Sequence, residues 1–199
     1  ALHGARLLVP LVSVRGDEGI GAHGQLVDKT QELSIVTVQG PDGRAVLPAF
    51  TSVAAMQAWD PAARPIPIEA PRVALAAGSD GTPLIVIDPG SETEFAVRRP
   101  ALRALATGET WRPSVDDAEV RAAFGVASAG EEAVVAVDVA SGDPDARLAG
   151  PELVVRLVLG PGLGEDALAA LLGRLQARWS EHPVIAERVD SIGVRVEAA

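Results

Sequence analysis

The sequence of 199 residues contains no cysteine. This absence excludes disulfide bonds, thiolate nucleophiles, cysteine-ligated zinc and iron–sulfur clusters within these residues. Disulfides belong to oxidising compartments, so a chain without them fits the cytoplasm, and we expect a cytoplasmic location.

Histidine is also scarce, and the three that occur, His3, His23 and His182, are isolated from one another. No His-x-x-His or His-x-x-x-His pair is present, and the nucleophile motif Gly-x-Ser-x-Gly is missing. Without these patterns, neither a histidine metal site nor a Ser-His-Asp triad can be argued. We therefore predict no catalytic residue, no metal and no cofactor.

Basic residues are few, with 17 Lys and Arg against 27 Asp and Glu, which gives a net charge of −10. No basic cluster of the size that neutralises phosphates occurs, so we expect no nucleic-acid partner. No apolar run reaches the roughly 18 residues that a membrane span needs, and no signal peptide is visible at the start. We expect a soluble acidic protein that does not bind membranes.

Aromatic residues make up only 3% of the chain, whereas apolar residues together make up 48%. The sequence does contain enough Val, Leu, Ile and Ala for a core. A strand over residues 45–50, a helix over 72–77 and a continuous apolar strand over 84–87 predict a compact βαβ crossover. Gly40-Pro41-Asp42-Gly43 predicts the hairpin turn that leads into the first of these strands.

Further elements complete the first half of the chain. Strands are expected at 6–14, 33–38 and 95–97, and a helix at 100–106. Pro10 inside the first strand predicts an edge position or a bulge, because proline cannot donate a ladder hydrogen bond.

The second half is also predicted to contain both helices and strands. A helix from Ser114, capped through Asp117 and ended by Gly125, follows a linker at 107–113. Strands are expected at 133–139, 153–159 and 192–196, and a helix over 165–179 carries a leucine stripe at helical spacing. The predicted fold class is α/β (α+β): a mixed sheet with short crossover helices in residues 1–108, then a smaller α+β unit in residues 113–199.

Two glycine-rich stretches do not predict nucleotide binding. Gly19 to Gly24 spells G-x-G-x-x-G, but four residues separate it from the preceding strand and the following residues lack helical periodicity. Gly160 to Gly164 has the wrong spacing, and Glu165 and Asp166 at the next helix start would repel phosphate. We expect loops at both places.

Five residues are candidate contacts with a ligand or partner: Lys29, Phe50, Thr51, Trp59 and Asp88. Lys29 is the only lysine, and Trp59 would make an interaction hot spot where it is exposed. Asp88 follows an apolar strand, where α/β proteins place ligands, although Pro89-Gly90 after it is also typical of a turn.

Six short stretches of the first half form a distinctive set. They are Gly24-Gln25, Asp28-Lys29, Gly40-Pro41-Asp42-Gly43, Leu47-Pro48-Ala49-Phe50-Thr51-Ser52, Ala58-Trp59-Asp60-Pro61-Ala62-Ala63-Arg64-Pro65 and Leu84-Ile85-Val86-Ile87-Asp88-Pro89. Together they resemble the N-terminal domain of the SseB-like family, named for enhanced serine sensitivity, over roughly Leu7 to Ala106. The similarity is closest to actinobacterial members.

The resemblance implies no particular activity, because members of this family have no established biochemical function. Some carry a sulfurtransferase label, but that reaction needs a persulfide-forming cysteine, so a cysteine-dependent sulfurtransferase is excluded here. We expect a non-catalytic protein-interaction or regulatory binding module. The alternative is a small-molecule sensor or enzyme that uses Asp88 and the loop at residues 15–32. The sequence identifies no protein partner and leaves a homodimer open.

Overall fold

The computed structural model describes residues 2–13 and 33–199. These residues have an α+β fold, as the sequence predicts. The strands are β1 (Arg6–Ser13), β2 (Leu33–Ile35), β3 (Val38–Gln39), β4 (Ala45–Ala49), β5 (Arg64–Glu69), β6 (Ile85–Ile87), β7 (Phe95–Val97), β8 (Val134–Ser141), β9 (Leu153–Leu159) and β10 (Ile192–Ala198). The helices are α1 (Val53–Trp59), α2 (Ala70–Ser79), α3 (Arg99–Thr107), α4 (Ala118–Ser128), α5 (Glu165–Glu181) and α6 (Pro183–Arg188).

The strands form three sheets. One has the order β2-β1-β5 and is antiparallel, and a second has the order β3-β4-β6-β7. An antiparallel bridge between Leu8 and Phe50 links these two sheets. The third sheet, of order β10-β9-β8, is formed entirely by the second half of the chain.

The predicted crossover is confirmed, because β4 and β6 are parallel neighbours with Leu47 opposite Ile85. The chain between them forms α1, β5 and α2. The predicted hairpin is also confirmed: β3 and β4 are antiparallel, and the N–H of Gly43 donates to the carbonyl of Gly40 at 3.0 Å. Gly43 has φ of 82°, a left-handed conformation that glycine adopts without strain.

The prediction that Pro10 marks an edge or a bulge is wrong. The strand β1 is central in its sheet, and Pro10 lies opposite Pro65 of β5. The N–H of Leu8 donates to Phe50 on the side away from β5, so by alternation the nitrogen of Pro10 also faces away from β5. The proline therefore removes no hydrogen bond from the β1–β5 ladder.

Three further features of the fold differ from the predictions. The strand expected at 33–38 is divided between β2 and β3, which belong to different sheets. Gly125 lies inside α4 rather than after its end, and Asp117, whose carboxylate accepts from the N–H of Glu119, is the N-cap. The short helix α6 was not predicted at all.

Two main hydrophobic cores lie in the two halves of the chain. The first packs β1, β4, β6 and β7 against α2 and α3. The second packs β8, β9 and β10 against α4, α5 and α6, and includes Leu171, Leu175 and Trp179 of the predicted leucine stripe. The division of the chain into units of 1–108 and 113–199 stays a prediction.

No helix formed by the described residues is both long enough and apolar enough to cross a membrane.

Candidate functional site

Two of the predicted contact residues, Thr51 and Asp88, lie together at one edge of the second sheet. Thr51 follows β4 and Asp88 follows β6, and these parallel strands end side by side. The Asp88 carboxylate accepts from the N–H of Thr51 at 2.8 Å and from its hydroxyl at 2.5 Å. The hydroxyl of Thr93 is 3.5 Å away from the same carboxylate.

Asp88 itself is closed off from solvent. The residue is only 3% exposed, and its backbone has φ of 48°, in the left-handed region that aspartate tolerates better than most residues. Its N–H donates to the carbonyl of Ala49 at 2.8 Å. The Asp88 carboxylate therefore fixes the segment after β4, and Thr51 is the exposed member of the pair.

That segment leads directly into α1. Ser52 is the N-cap, since its hydroxyl accepts from the N–H of Ala55 at 3.0 Å. Met56 is the buried anchor of the helix.

The rest of α1 faces outward without a charge. We call the exposed side chains of Thr51, Val53, Gln57 and Ala58, with the half-buried Trp59, the α1 patch. Val53 is 45% exposed, and all seven residues of α1 are uncharged. An uncharged exposed surface of this kind contrasts with the net charge of −10 carried by the chain.

Phe50 packs against the buried side of the α1 patch. The side chain of Phe50 is completely buried with Met56 and Ala63. Its ring lies 5.4 Å from that of Trp59, centroid to centroid, in a tilted arrangement. Phe50 therefore positions Trp59 and offers no surface of its own in this conformation.

Lys29 and the loop at residues 15–32, including the G-x-G-x-x-G stretch, lie outside the described residues.

Carboxylates with shifted pKa values occur elsewhere, at the junction between the two halves of the chain. Arg98, directly after β7, is buried there. Its guanidinium donates to Asp143 at 2.6 Å, to Asp190 at 3.1 Å and to the carbonyl of Gly150 at 2.8 Å. Arg44 also reaches Asp190, through two hydrogen bonds of 2.9 and 3.1 Å.

These arginines control the charge of the two aspartates. Burial by itself would raise the pKa of Asp190, but hydrogen bonds and charges from Arg44 and Arg98 outweigh burial and lower it. Burial would likewise raise the pKa of Asp143, and the hydrogen bonds from Arg98 and from the Arg147 and Leu148 N–H groups lower it. Both aspartates are therefore ionised at neutral pH.

The pKa of Glu152, which lies beside these two aspartates, is shifted in the opposite direction. Burial raises its pKa, against the lowering effect of hydrogen bonds from Ser114 and from the N–H of Asp190. The Ser114 hydroxyl contacts both the Glu152 carboxylate and the carbonyl of Arg188, yet it has only one proton to donate. A protonated Glu152 would satisfy both contacts, because it could donate to Ser114 while Ser114 donates to Arg188.

The Ser114 hydroxyl is closed to substrates. Ser114 is only 2% exposed, so a small molecule cannot reach its hydroxyl. The junction connects Arg44 and Arg98 of the first half with Asp143 and Asp190 of the second, and its arrangement fits a structural tie. The junction could not be predicted from the sequence, since nothing in the local pattern distinguishes Arg98 from a solvated arginine.

An open groove of about 620 Å³ lies between residues of α3, α4 and α6. Arg188 on its wall pairs with Asp117 at 3.0 Å and with Glu119 at 2.7 Å. Burial would raise the pKa of Asp117, but the hydrogen bond from Arg188 lowers it. Neither Thr51 nor Asp88 lines this groove.

Within residues 2–13 and 33–199, no group of three or more His, Asp or Glu side chains is placed to hold a metal ion.

The fold and the two sites define an α+β protein with a buried ionic junction and an uncharged exposed helix. A comparison with family models matches residues 1–104 to the SseB protein N-terminal domain. The match covers just over half of the chain, and the protein belongs to the SseB family. The sequence matches no curated protein and no solved structure.

Proposed function

We propose that the protein is a non-catalytic protein-interaction or regulatory binding module that acts through the α1 patch. In this proposal residues 1–108 form the family domain that presents the patch, and residues 113–199 form a second, smaller domain. Thr51 and Trp59 contact the partner, while Phe50 and Asp88 hold them in place from beneath. Lys29 remains a proposed contact on sequence grounds alone.

The observation that carries this proposal is the uncharged exposed surface of α1. Cores of protein interfaces are depleted of charged residues and enriched in aromatic ones. Val53 is exposed, Trp59 is half-buried and α1 contains no charged side chain. Buried beneath them, Asp88 is occupied by Thr51, which supports a positioning role better than an acid–base role.

One observation favours the alternative, a small-molecule sensor or enzyme. Asp88 lies at the carboxyl ends of the parallel strands β4 and β6, where α/β proteins commonly bind ligands. In that case a ligand would have to displace Thr51 from the Asp88 carboxylate.

We further infer a cytoplasmic location from the absence of cysteine, and an affinity with actinobacterial members from the six family stretches.

A pair of charge insertions tests the proposal. Val53→Arg adds a charge to the α1 patch, and Leu75→Arg adds the same charge to α2 at another exposed apolar position. Wild type and both variants are immobilised and exposed to an extract of the cells that make the protein, after circular dichroism has verified their folding.

The proposal predicts that wild type and Leu75→Arg retain the same protein and that Val53→Arg does not. If no protein is retained by wild type, or if all three retain it equally, the α1 patch is not the interaction surface. A metabolite that raises the melting temperature of wild type but not of Asp88→Asn would then support the sensor.

A further inference from the structure

The outer edges of the described sheets differ in how they avoid pairing with another chain. The edge strand β5 carries Pro65 and Pro67, which cannot donate ladder hydrogen bonds. At the edge strand β7, the N–H of Ala96 is already occupied by the carbonyl of Ala146. The edge strand β8 has a register irregularity between Val134 and Ala136. Prolines, covering loops and bulges are common means of protecting an edge.

Within residues 2–13 and 33–199, the strand β10 has none of these three protections. It pairs with β9 in regular parallel register over all seven residues, from Ile192 to Ala198, and contains no proline. No other described strand lies on its outer side.

The hydrogen bonds at the two ends of β10 show which backbone groups face away from β9. The carbonyl of Ser191 accepts from Leu153, and the N–H of Ala199 donates to Leu159, so the odd-numbered residues face β9. By alternation, the N–H and C=O groups of Ile192, Val194, Val196 and Ala198 face outward.

Two apolar depressions lie along this same edge. One, of about 280 Å³, is lined by Ile192 and Val194 together with Gln176 of α5. The other, of about 230 Å³, is lined by Val196 and Ala198 together with Leu168 of α5. Val196 is 41% exposed although it faces the helical layer of its sheet.

We propose that the outer edge of β10 pairs antiparallel with β10 of a second copy of this chain, so that two three-stranded sheets become one six-stranded sheet. Because such a contact is made by the same strand in both copies, it closes with two-fold symmetry. Leu168 and Gln176 of the two α5 helices then approach each other above the new strand pair.

The charges of β10 are what point to a second copy and fix the register. With the two-fold axis at Val196, Arg195 lies opposite Glu197 of the partner copy in both symmetry-related positions. Arg195 is exposed and takes part in no salt bridge among the described residues, whereas Glu197 already pairs with Arg156. Opposite charges directly across two strands are stabilising.

Shifted registers are unfavourable. An axis at Arg195 would place that arginine against its own copy, and like charges directly opposite are destabilising. An axis at Val194 would place Ala198 of one copy against Asp190 of the other, where Arg44 and Arg98 already bind.

The test measures molecular mass by sedimentation equilibrium over about 1 to 100 µM, a range that covers common dimer affinities. Wild type is compared with Val196→Lys at the proposed axis and with Val135→Lys on β8, the opposite edge of the same sheet. Val135 is 62% exposed, so the control adds the same charge without loss of packing.

The proposal predicts that wild type and Val135→Lys approach twice the 20.4 kDa mass of one chain. Val196→Lys should raise the dissociation constant at least about 100-fold, because two lysines meet at the axis. Arg195→Glu should raise it about tenfold, since both cross-strand pairs become repulsive.

Amide hydrogen exchange supplies a readout that a misfolded variant cannot imitate. In the dimer the N–H groups of Val194, Val196 and Ala198 are protected, and in folded Val196→Lys they exchange rapidly while the odd-numbered amides stay protected. A wild type that remains monomeric, or a Val196→Lys variant that still dimerises, overturns the proposal. So does a monomer in which the same three amides become protected only on addition of a synthetic Val-Thr repeat peptide, because the edge would then bind an extended peptide.

Discussion

The guanidinium of Arg98 is enclosed by groups from the other half of the chain. It donates hydrogen bonds to two carboxylates, to the carbonyl of Gly150 and to the hydroxyl of Ser191, so its terminal N–H groups have acceptors. Burying such a group requires partners of opposite charge, since an unpaired buried charge is strongly destabilising. Asp143 and Asp190 supply that charge.

Removal of Arg98 should therefore be costly. Arg98→Met leaves Asp143 buried without its cation, and we expect a loss of about 3–5 kcal/mol in the free energy of unfolding. The control, Arg103→Ala, breaks an exposed pair with Glu187 and should cost at most about 1 kcal/mol. Urea denaturation of both variants measures the two losses, and equal losses would show that the junction is not a structural tie.

Glu152 contributes to the stability of the folded chain with a pH dependence opposite to that of Asp143 and Asp190. Its pKa is raised from an ordinary 4.5 because it is buried, so the folded chain binds more protons than the unfolded chain above pH 4.5. Its contribution to stability is therefore present at low pH and is lost as pH rises through the folded pKa. For Asp143 and Asp190, whose pKa values are lowered from 3.8, the contribution is present above that pH and lost as pH falls.

Glu152→Gln should separate these effects. Glutamine is neutral and can donate to Ser114 as a protonated glutamate would, so the free energy of unfolding of the variant relative to wild type should rise as pH increases above 4.5. Urea denaturation at a series of pH values measures this difference, with exposed Glu132→Gln as a control that should show no such trend. A flat difference for Glu152→Gln would mean that Glu152 stays ionised in the folded chain.

At the scale of elements, the loop between β8 and β9 connects the two halves. Asp143 organises it by accepting from the N–H groups of Arg147 and Leu148 at 3.1 and 2.8 Å. Leu148 then packs among Val46, Leu84 and other residues of the first half. The local sequence of this loop, with Asp143, Pro144 and Asp145, is typical of a turn, but its insertion into the first half depends on contacts distant in the chain.

The loop also contains backbone strain that a substitution can relieve. Ala146 has φ of 52°, a left-handed conformation that costs a residue with a Cβ atom about 1–2 kcal/mol. Ala146→Gly should increase the free energy of unfolding by about 0.5–1 kcal/mol, after the entropy of glycine in the unfolded chain is subtracted. Ala149→Gly, at a position without positive φ, should instead decrease it. Thermal unfolding distinguishes the two, and a decrease in both would contradict the explanation.

Elements with strong local patterns were predicted well, and elements that depend on distant contacts were not. The nearly continuous apolar run of β9 and the leucine stripe of α5 indicate their structure directly. By contrast, α6 has only six residues and begins with Pro183, too short for a periodic pattern. At the candidate site, Asp88 and Thr51 were both singled out, but their hydrogen bonds could not be predicted because 37 residues separate them.

At the scale of the whole molecule, the ionic junction and the α1 patch lie on different parts of the chain and differ in burial and charge. In the junction, Asp143 and Asp190 form ion pairs with arginines of the same chain. Ser114 is too deeply buried there for a substrate to reach its hydroxyl. The α1 patch, by contrast, is exposed, uncharged and held by Asp88 and Phe50. The proposed interaction through the α1 patch rests on this contrast.

Hydrogen exchange of the whole chain with and without the protein retained in the capture experiment tests this claim most directly. An interaction through the α1 patch predicts that amides within residues 51–59 of wild type become protected from exchange when the retained protein is added. The same amides of Val53→Arg should show no such protection. Protection confined to other residues, or identical protection in Val53→Arg, would contradict an interaction through this surface.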